Sequence, residues 1–193
     1  MISARGLSKR YGTKRVLDRL DLDVPRGGFT VVTGPNGSGK TTLLRLVAGL
    51  AAPSGGSLEV AADRAQIGYL AHEPLVYREL TALENLDLYG RLYRLPERRE
   101  RAGAMLERFG LWRVRNERVG TFSRGMLQRL ALCRTFLHDP DLLLLDEPFD
   151  GLDVEGADLL QAELAERTGV TALVATHDPE ALASRATARL AIA

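Results

Sequence analysis

The stretch Phe29 to Leu44, FTVVTGPNGSGKTTLL, decides the fold. Phe29 to Thr33 are aromatic or β-branched, the composition of a short buried strand. Gly34 to Thr41 match G-x-x-x-x-G-K-[ST], and Thr42 to Leu50 continue at helical spacing. Strand, glycine-rich turn and helix in that order form a cradle for a polyphosphate. Gly34, Gly37 and Gly39, with Pro35, Asn36 and Ser38 between them, let consecutive backbone N–H groups turn inward, and the helix N-terminus adds a positive dipole end. Lys40 is placed to reach the β- and γ-phosphates and the Thr41 hydroxyl to hold Mg²⁺, with Thr42 beside it. An accidental glycine-rich turn is the alternative. At an average usage of roughly 7% glycine, the pattern arises by chance in fewer than about one chain in a hundred of this length.

The 193 residues predict one domain with a sizeable core. A formal net charge of +1 argues against a nucleic-acid partner, which needs a strong basic excess. Lys9, Lys14 and Lys40 are the only lysines, so the basic side is almost all arginine. Cys133 stands alone in a Leu/Ala run, which excludes a disulfide framework and reads as a small core residue. Met1 leads directly into a strand-like segment without a signal peptide, and no apolar run approaches the ~20 residues of a membrane span. A soluble, cytoplasmic chain is expected.

Ile2 to Arg5 and Asp18 to Val24 read as strands, with Ser8 to Gly12 as a polar turn between them. Tyr11 is then either an exposed turn aromatic or a platform for an adenine ring. Ala51 to Gly56 is a loop, and Ser57 to Val60 and Ala65 to Ala71 read as further strands, the second closed by His72-Glu73-Pro74. Thr81-Ala-Leu-Glu84 is a capping box opening a helix to about Arg94, with Leu83, Leu86, Tyr89/Gly90 and Tyr93 on one face. Pro96 is placed in the first turn of an Arg/Glu-rich helix to about Phe109. Arg113 to Arg118 reads as a polar linker, and Ser123 caps a helix to about Leu137. Residues 74–137 are therefore a helical insert between strand-rich portions 1–73 and 138–193, and the fold class is α/β.

Asp141 to Leu145, DLLLL, is a buried strand followed at once by Asp146-Glu147-Pro148. Carboxylates at the carboxyl end of such a strand stand where α/β sheets bind ligands. Asp146 is assigned to Mg²⁺, and Glu147 to polarising the water that attacks the γ-phosphate. Taken alone, the pair would suit a helix N-cap cluster; beside a phosphate loop, the catalytic reading prevails. Asp153 starts a helix to about Arg167, and Val170 to Thr176 is another buried strand. His177 follows it on the same sheet edge as Gly34 and Asp146, which points to a γ-phosphate contact. A short helix at Glu180 to Arg185 and a strand at Ala188 to Ile192 end the reading.

These residues together resemble the nucleotide-binding subunit of ABC transporters over essentially the whole chain. The match rests on GPNGSGKTT, LLLLDEP, GLD at Gly151 to Asp153, His177, and Ser123-Arg-Gly-Met-Leu-Gln-Arg129 as a variant of the LSGGQ signature. Ser123 at a helix N-terminus offers a hydroxyl and free N–H groups, and Gly125 allows close backbone approach. A plain N-cap is the bland alternative. The resemblance implies a core of parallel or mixed sheet with an N-terminal antiparallel part and a helical subdomain. It also implies a head-to-tail homodimer with ATP and Mg²⁺ at the interface, in which Ser123 and Gly125 serve the partner's nucleotide. Separate membrane permease subunits would hold the dimer at the inner face of the membrane.

Three positions depart from the family pattern. His72-Glu73 replaces the usual glutamine near Mg²⁺ and the attacking water, and either could take its place, although imidazole is a poorer Mg²⁺ ligand than oxygen. Arg124 and Met126 occupy signature positions. Asp150 stands before GLD and is expected to add negative charge near the γ-phosphate and slow nucleotide-driven closure. TFSRGM (Thr121 to Met126), LTALENL (Leu80 to Leu86) and AHEP resemble the haem-exporter ATP-binding subunits of cytochrome c maturation, with drug, lipid or polysaccharide exporters as the alternative. A soluble ABC protein acting on ribosomes or DNA is disfavoured by the single domain and the near-neutral charge. An idle scaffold is disfavoured by Lys40, Asp146 and Glu147.

Overall fold

The computed structural model describes residues 1–193, which divide into two compact units. The first comprises Met1–His72, Asp141–Pro148 and Gly169–Ala193. In it β1 (Ile2–Tyr11), β2 (Lys14–Val24) and β4 (Gly55–Val60) form an antiparallel sheet in the order β2-β1-β4. A parallel sheet contains β3 (Phe29–Thr33), β5 (Ile67–Leu70), β6 (Leu142–Asp146), β7 (Thr171–Ala175) and β8 (Ala188–Ala191), in the order β5-β6-β7-β3-β8. β6 and β7 are buried at every position, which is why they read as unbroken apolar runs instead of alternating ones. Helix α1 (Lys40–Val47) shares one core with both sheets: its Leu43, Leu44, Leu46 and Val47 pack with Ile2, Leu7 and Leu22 and with Val32, Leu142, Leu144 and Leu173.

β6, β7 and β3 are adjacent and parallel, so their carboxyl ends lie side by side. Gly34, Glu147 and Thr176-His177 follow them directly. The expected polar turn at Ser8 to Gly12 is mostly strand: β1 continues to Tyr11, and Gly12-Thr13 alone turns the chain. Register shifts between Ala4 and Leu7, Leu7 and Lys9, and Lys9 and Arg10 break the period-two pattern that marks a strand in sequence. α1 stops before Leu50 because Gly49 (φ 68°) closes it, with Gly49 N–H donating to Leu46 O and Leu50 N–H to Arg45 O. The last expected helix is a single 3₁₀ turn, Glu180–Leu182.

The second unit comprises Glu73–Pro140 and Phe149–Thr168. Its helices are α2 (Ala82–Leu92), α3 (Arg98–Arg108), α4 (Arg124–Phe136) and α5 (Val154–Glu166). The Thr81–Glu84 capping box is formed in both directions. Leu86 and Gly90 of the expected α2 face are buried, but Ala82 and Asn85 complete the buried set while Leu83, Tyr89 and Tyr93 are only half-buried. Asn85 explains the shift: its amide donates to Tyr77 O and Thr81 O and accepts from Tyr77 N–H, turning a polar side chain inward to tie down the preceding loop. Pro96 lies outside α3, because Glu97 at the N-cap takes a left-handed φ of 50°. The start of the expected linker, Arg113 and Val114, belongs to a 3₁₀ turn, Trp112–Val114. Residues 149–168, placed by sequence with the strand-rich part, cluster with the helices. α5 buries Glu163 as an ionic partner of Arg108 on α3, at 2.6 Å.

Candidate nucleotide site

The glycine-rich loop is held open by backbone conformations that favour glycine. Gly37 has φ 83° and Gly39 φ 109°. A Cβ on Gly34 would stand 2.2 Å from the carbonyl oxygen of Ile192, and one on Gly39 2.7 Å from Leu17 Cδ2. Lys40 is buried and its ammonium donates to Gly34 O at 2.8 Å and Pro35 O at 3.3 Å, so the side chain curls back over the loop. Gly39 caps α1 without a side-chain hydrogen bond, and the first turn carries no acidic residue. The leading N–H groups of α1 are therefore left for an anion.

Asp146 ends β6 and is 2% exposed. Its Oδ2 is buried without a hydrogen-bond partner. Burial pushes the carboxyl above its ordinary pKa, although a hydrogen bond with Thr41 and the nearby His72 and Lys40 pull the other way. A buried carboxylate oxygen with no donor, beside a threonine hydroxyl, is an incomplete oxygen shell of the kind a hard cation completes. The donor set fits Mg²⁺ arriving on phosphates. Glu147 takes a left-handed φ of 48° while its N–H donates to Ala175 O. That conformation turns the carboxylate to β7, where Oε2 accepts from His177 N–H at 3.0 Å and lies 2.8 Å from His177 Nδ1. Side-chain exposure is 14% for Glu147 and 70% for His177, so the histidine holds the carboxylate while presenting most of its ring to solvent.

A cleft of about 530 Å³ gathers these groups: Tyr11, Asn36, Gly37, Gly39, Lys40, Thr41, Thr42, His72, Asp146 and Glu147 line it. Tyr11 is on its wall at the end of β1, with Lys9 Nζ 4.9 Å from the ring centroid. Of the two residues at the glutamine position, His72 lines the cleft; Glu73 does not, and begins the helical unit. Gly34, Pro35, Ser38 and His177 frame the loop and the dyad without lining the cleft. Sequence reasoning missed Lys14 and Val16, which line it from the start of β2. It missed the Glu147–His177 pair as well. The one available signal for Lys14 was the scarcity of lysine.

Ser123 and Gly125 belong to the helical unit. Ser123 caps α4, its Oγ accepting from Met126 N–H at 3.3 Å. Asp150 does not present an open charge: its carboxylate accepts from Arg124 at 2.7 Å.

Residues 17–150 match the family model described as ABC transporter. The chain is 43% identical over 166 residues to the daunorubicin resistance ATP-binding protein DrrA3 of Streptomyces coeruleorubidus, covering 80% of this chain and 52% of that protein. It is 35% identical over 195 residues to the ABC transporter ATP-binding protein NatA of Bacillus subtilis, covering 92% and 79%. A dimeric structure of a post-hydrolysis state of the ATP-binding cassette MJ0796, bound to ADP and Pi, superposes with a TM-score of 0.82 at 30% identity, over 94% of this chain and 90% of that one. The chain spans about half of DrrA3 and 61% of another curated relative. The phosphate loop, the buried Asp146 and the paired Glu147 thus lie within, or directly before the end of, a match covering more than half the sequence, and the chain belongs to the ABC transporter family.

Proposed function

We propose that this chain binds and hydrolyses ATP as the energising subunit of an ABC transporter whose membrane-spanning permeases are separate chains. The observation that carries the reading is the set Thr41, Asp146, Glu147 and His177 beside the phosphate loop, with Asp146 Oδ2 buried and unpartnered. The loop amides and α1 bind the triphosphate, Lys40 exchanges its carbonyl partners for phosphate oxygens, and Tyr11 stacks on the base. Thr41 and Asp146 would hold the Mg²⁺ of the substrate complex, which would neutralise phosphate charge; His72 lies close enough to Asp146 to pull its carboxyl pKa down. Glu147 takes a proton from the attacking water, and His177 holds Glu147 and offers its exposed ring edge to the γ-phosphate. Two copies meet head to tail, with Ser123 and Gly125 of each serving the nucleotide of the other. The dimeric cassette MJ0796 supports this arrangement.

Export is the direction we assign, with a drug-type cargo; the similarity to the daunorubicin resistance protein DrrA3 supports the cargo class. Haem export is the second reading, favoured by TFSRGM, LTALENL and the histidine of AHEP. The purified chain should show Mg²⁺-dependent ATP hydrolysis, abolished by chelation and in Asp146→Asn. Absence of turnover with intact nucleotide binding would overturn the hydrolytic reading. Coexpression with permeases of each class separates the two cargo readings: a drug-type permease should copurify and raise turnover. Selective capture by a haem-maturation permease would reverse the assignment.

A further inference from the structure

Two of the departures from the family pattern, Arg124 and Asp150, turn out to be one contact. Arg124 is the first residue of α4, next to Ser123, and its guanidinium donates to Asp150 Oδ2 at 2.7 Å. The side chain crosses Gly151 to get there: a Cβ on that glycine would lie 2.8 Å from Arg124 Nε and 3.0 Å from its Cγ. Gly151 also has φ 76°, so a side chain there is strained and displaces Arg124. Gly125 closes the other side, where a Cβ would lie 3.2 Å from Gly151 O. One turn further along α4, Arg129 comes within 3.9 Å of Asp153, which caps α5 through Gly156 N–H. Segment 149–153 is therefore clasped to the first turns of α4 by two glycines back to back and by two arginines reaching to aspartates.

From this geometry we infer that Arg124 is a positioning residue: through Asp150 it holds segment 149–153 on the first turn of α4, so that Ser123 and this segment form one preassembled face for a second copy of the chain. The inference rests on the head-to-tail dimer of the preceding section. An isolated charge pair this exposed is weak, with side-chain exposures of 74% for Arg124 and 36% for Asp150. Here it adds to backbone packing that already brings the segments together, so it selects one arrangement of the turn and lowers the ordering cost of association. Asp150 follows Glu147 by three residues, so the clasp lies close along the chain to the proposed base.

The test uses the full chain and two readouts. Without nucleotide, hydrogen exchange is followed at Leu152 N–H, which donates to Phe149 O. Arg124→Ala and Asp150→Asn should each speed exchange about three- to tenfold. Arg124→Lys should recover part of the protection, and the swapped pair R124D/D150R most of it. Salt at 0.5 M should shrink the differences, because the pair is exposed. In a Glu147→Gln background with Mg²⁺ and ATP, Arg124→Ala should raise the dimer Kd at least threefold, and the swap should lower it again. Unchanged exchange in both single variants, or faster exchange with no change in dimer Kd, overturns the inference. If Glu147→Gln stays monomeric at saturating ATP, the dimer reading itself fails, and with it the assigned role of the clasp; the exchange data then report only whether the contact exists in the monomer.

Discussion

Asp146 should destabilise the nucleotide-free chain at neutral pH. Its carboxylate is buried, one oxygen has no donor, and burial has raised its pKa; a group shifted this way loses stability as pH rises past its unfolded-state value. At neutral pH the folded chain therefore carries a charge it would hold more cheaply unfolded. Asp146→Asn should raise the thermal midpoint without nucleotide while removing Mg²⁺-dependent turnover, and calorimetry beside an ATPase assay would show both. A lower midpoint would mean that the contacts with Thr41, His72 and Lys40 outweigh burial. At this scale the motif residues were legible because phosphate chemistry demands them at fixed spacing along the chain. The Glu147–His177 dyad was not, because the pairing depends on β6 and β7 being neighbours in the sheet. Lys14 and Val16 were hidden likewise, since irregular pairing of β1 and β2 decides what the hairpin presents.

Among the elements, α5 shows best what local patterning leaves out. Its buried face is Gly156, Leu160, Glu163 and Leu164, and a glutamate on an apolar face reads as an error until Arg108 and Arg167 meet it at 2.6 and 2.7 Å. Arg108 lies 55 residues away, out of reach of any periodicity argument. Glu163→Gln should cost about 2–3 kcal/mol, the worth of charged hydrogen bonds to a buried partner, read from the urea midpoint. A change below about 0.5 kcal/mol would place the energy in the surrounding packing. Asp87 on α2 gives a pH signature. Burial alone would raise its pKa, but hydrogen bonds from Arg98 and Arg91 more than reverse that, leaving it below the ordinary aspartate value. Its contribution is present above the unfolded-state value near pH 4 and lost as pH falls through the lower folded value. Urea midpoints taken between pH 5 and 2.5 should thus fall more gently for Asp87→Asn than for the parent.

For the molecule as a whole, the centre of the parallel sheet was readable because β3, β6 and β7 are short, apolar and buried, and the functional residues follow them. The division into units was readable only in part. A helix that follows one parallel strand and precedes the next looks like an ordinary crossover, yet residues 149–168 cluster with the helices because their buried partners lie there. Glu147, steadied by His177, is the proposed base in a site completed by a second copy. Light scattering of Glu147→Gln with Mg²⁺ and ATP, run beside an ATPase assay, tests it directly. The variant should lose turnover by about 10²–10⁴-fold, the usual worth of a positioned base, and accumulate as a dimer that the parent forms only transiently. A variant that hydrolyses ATP like the parent and remains monomeric would contradict the account.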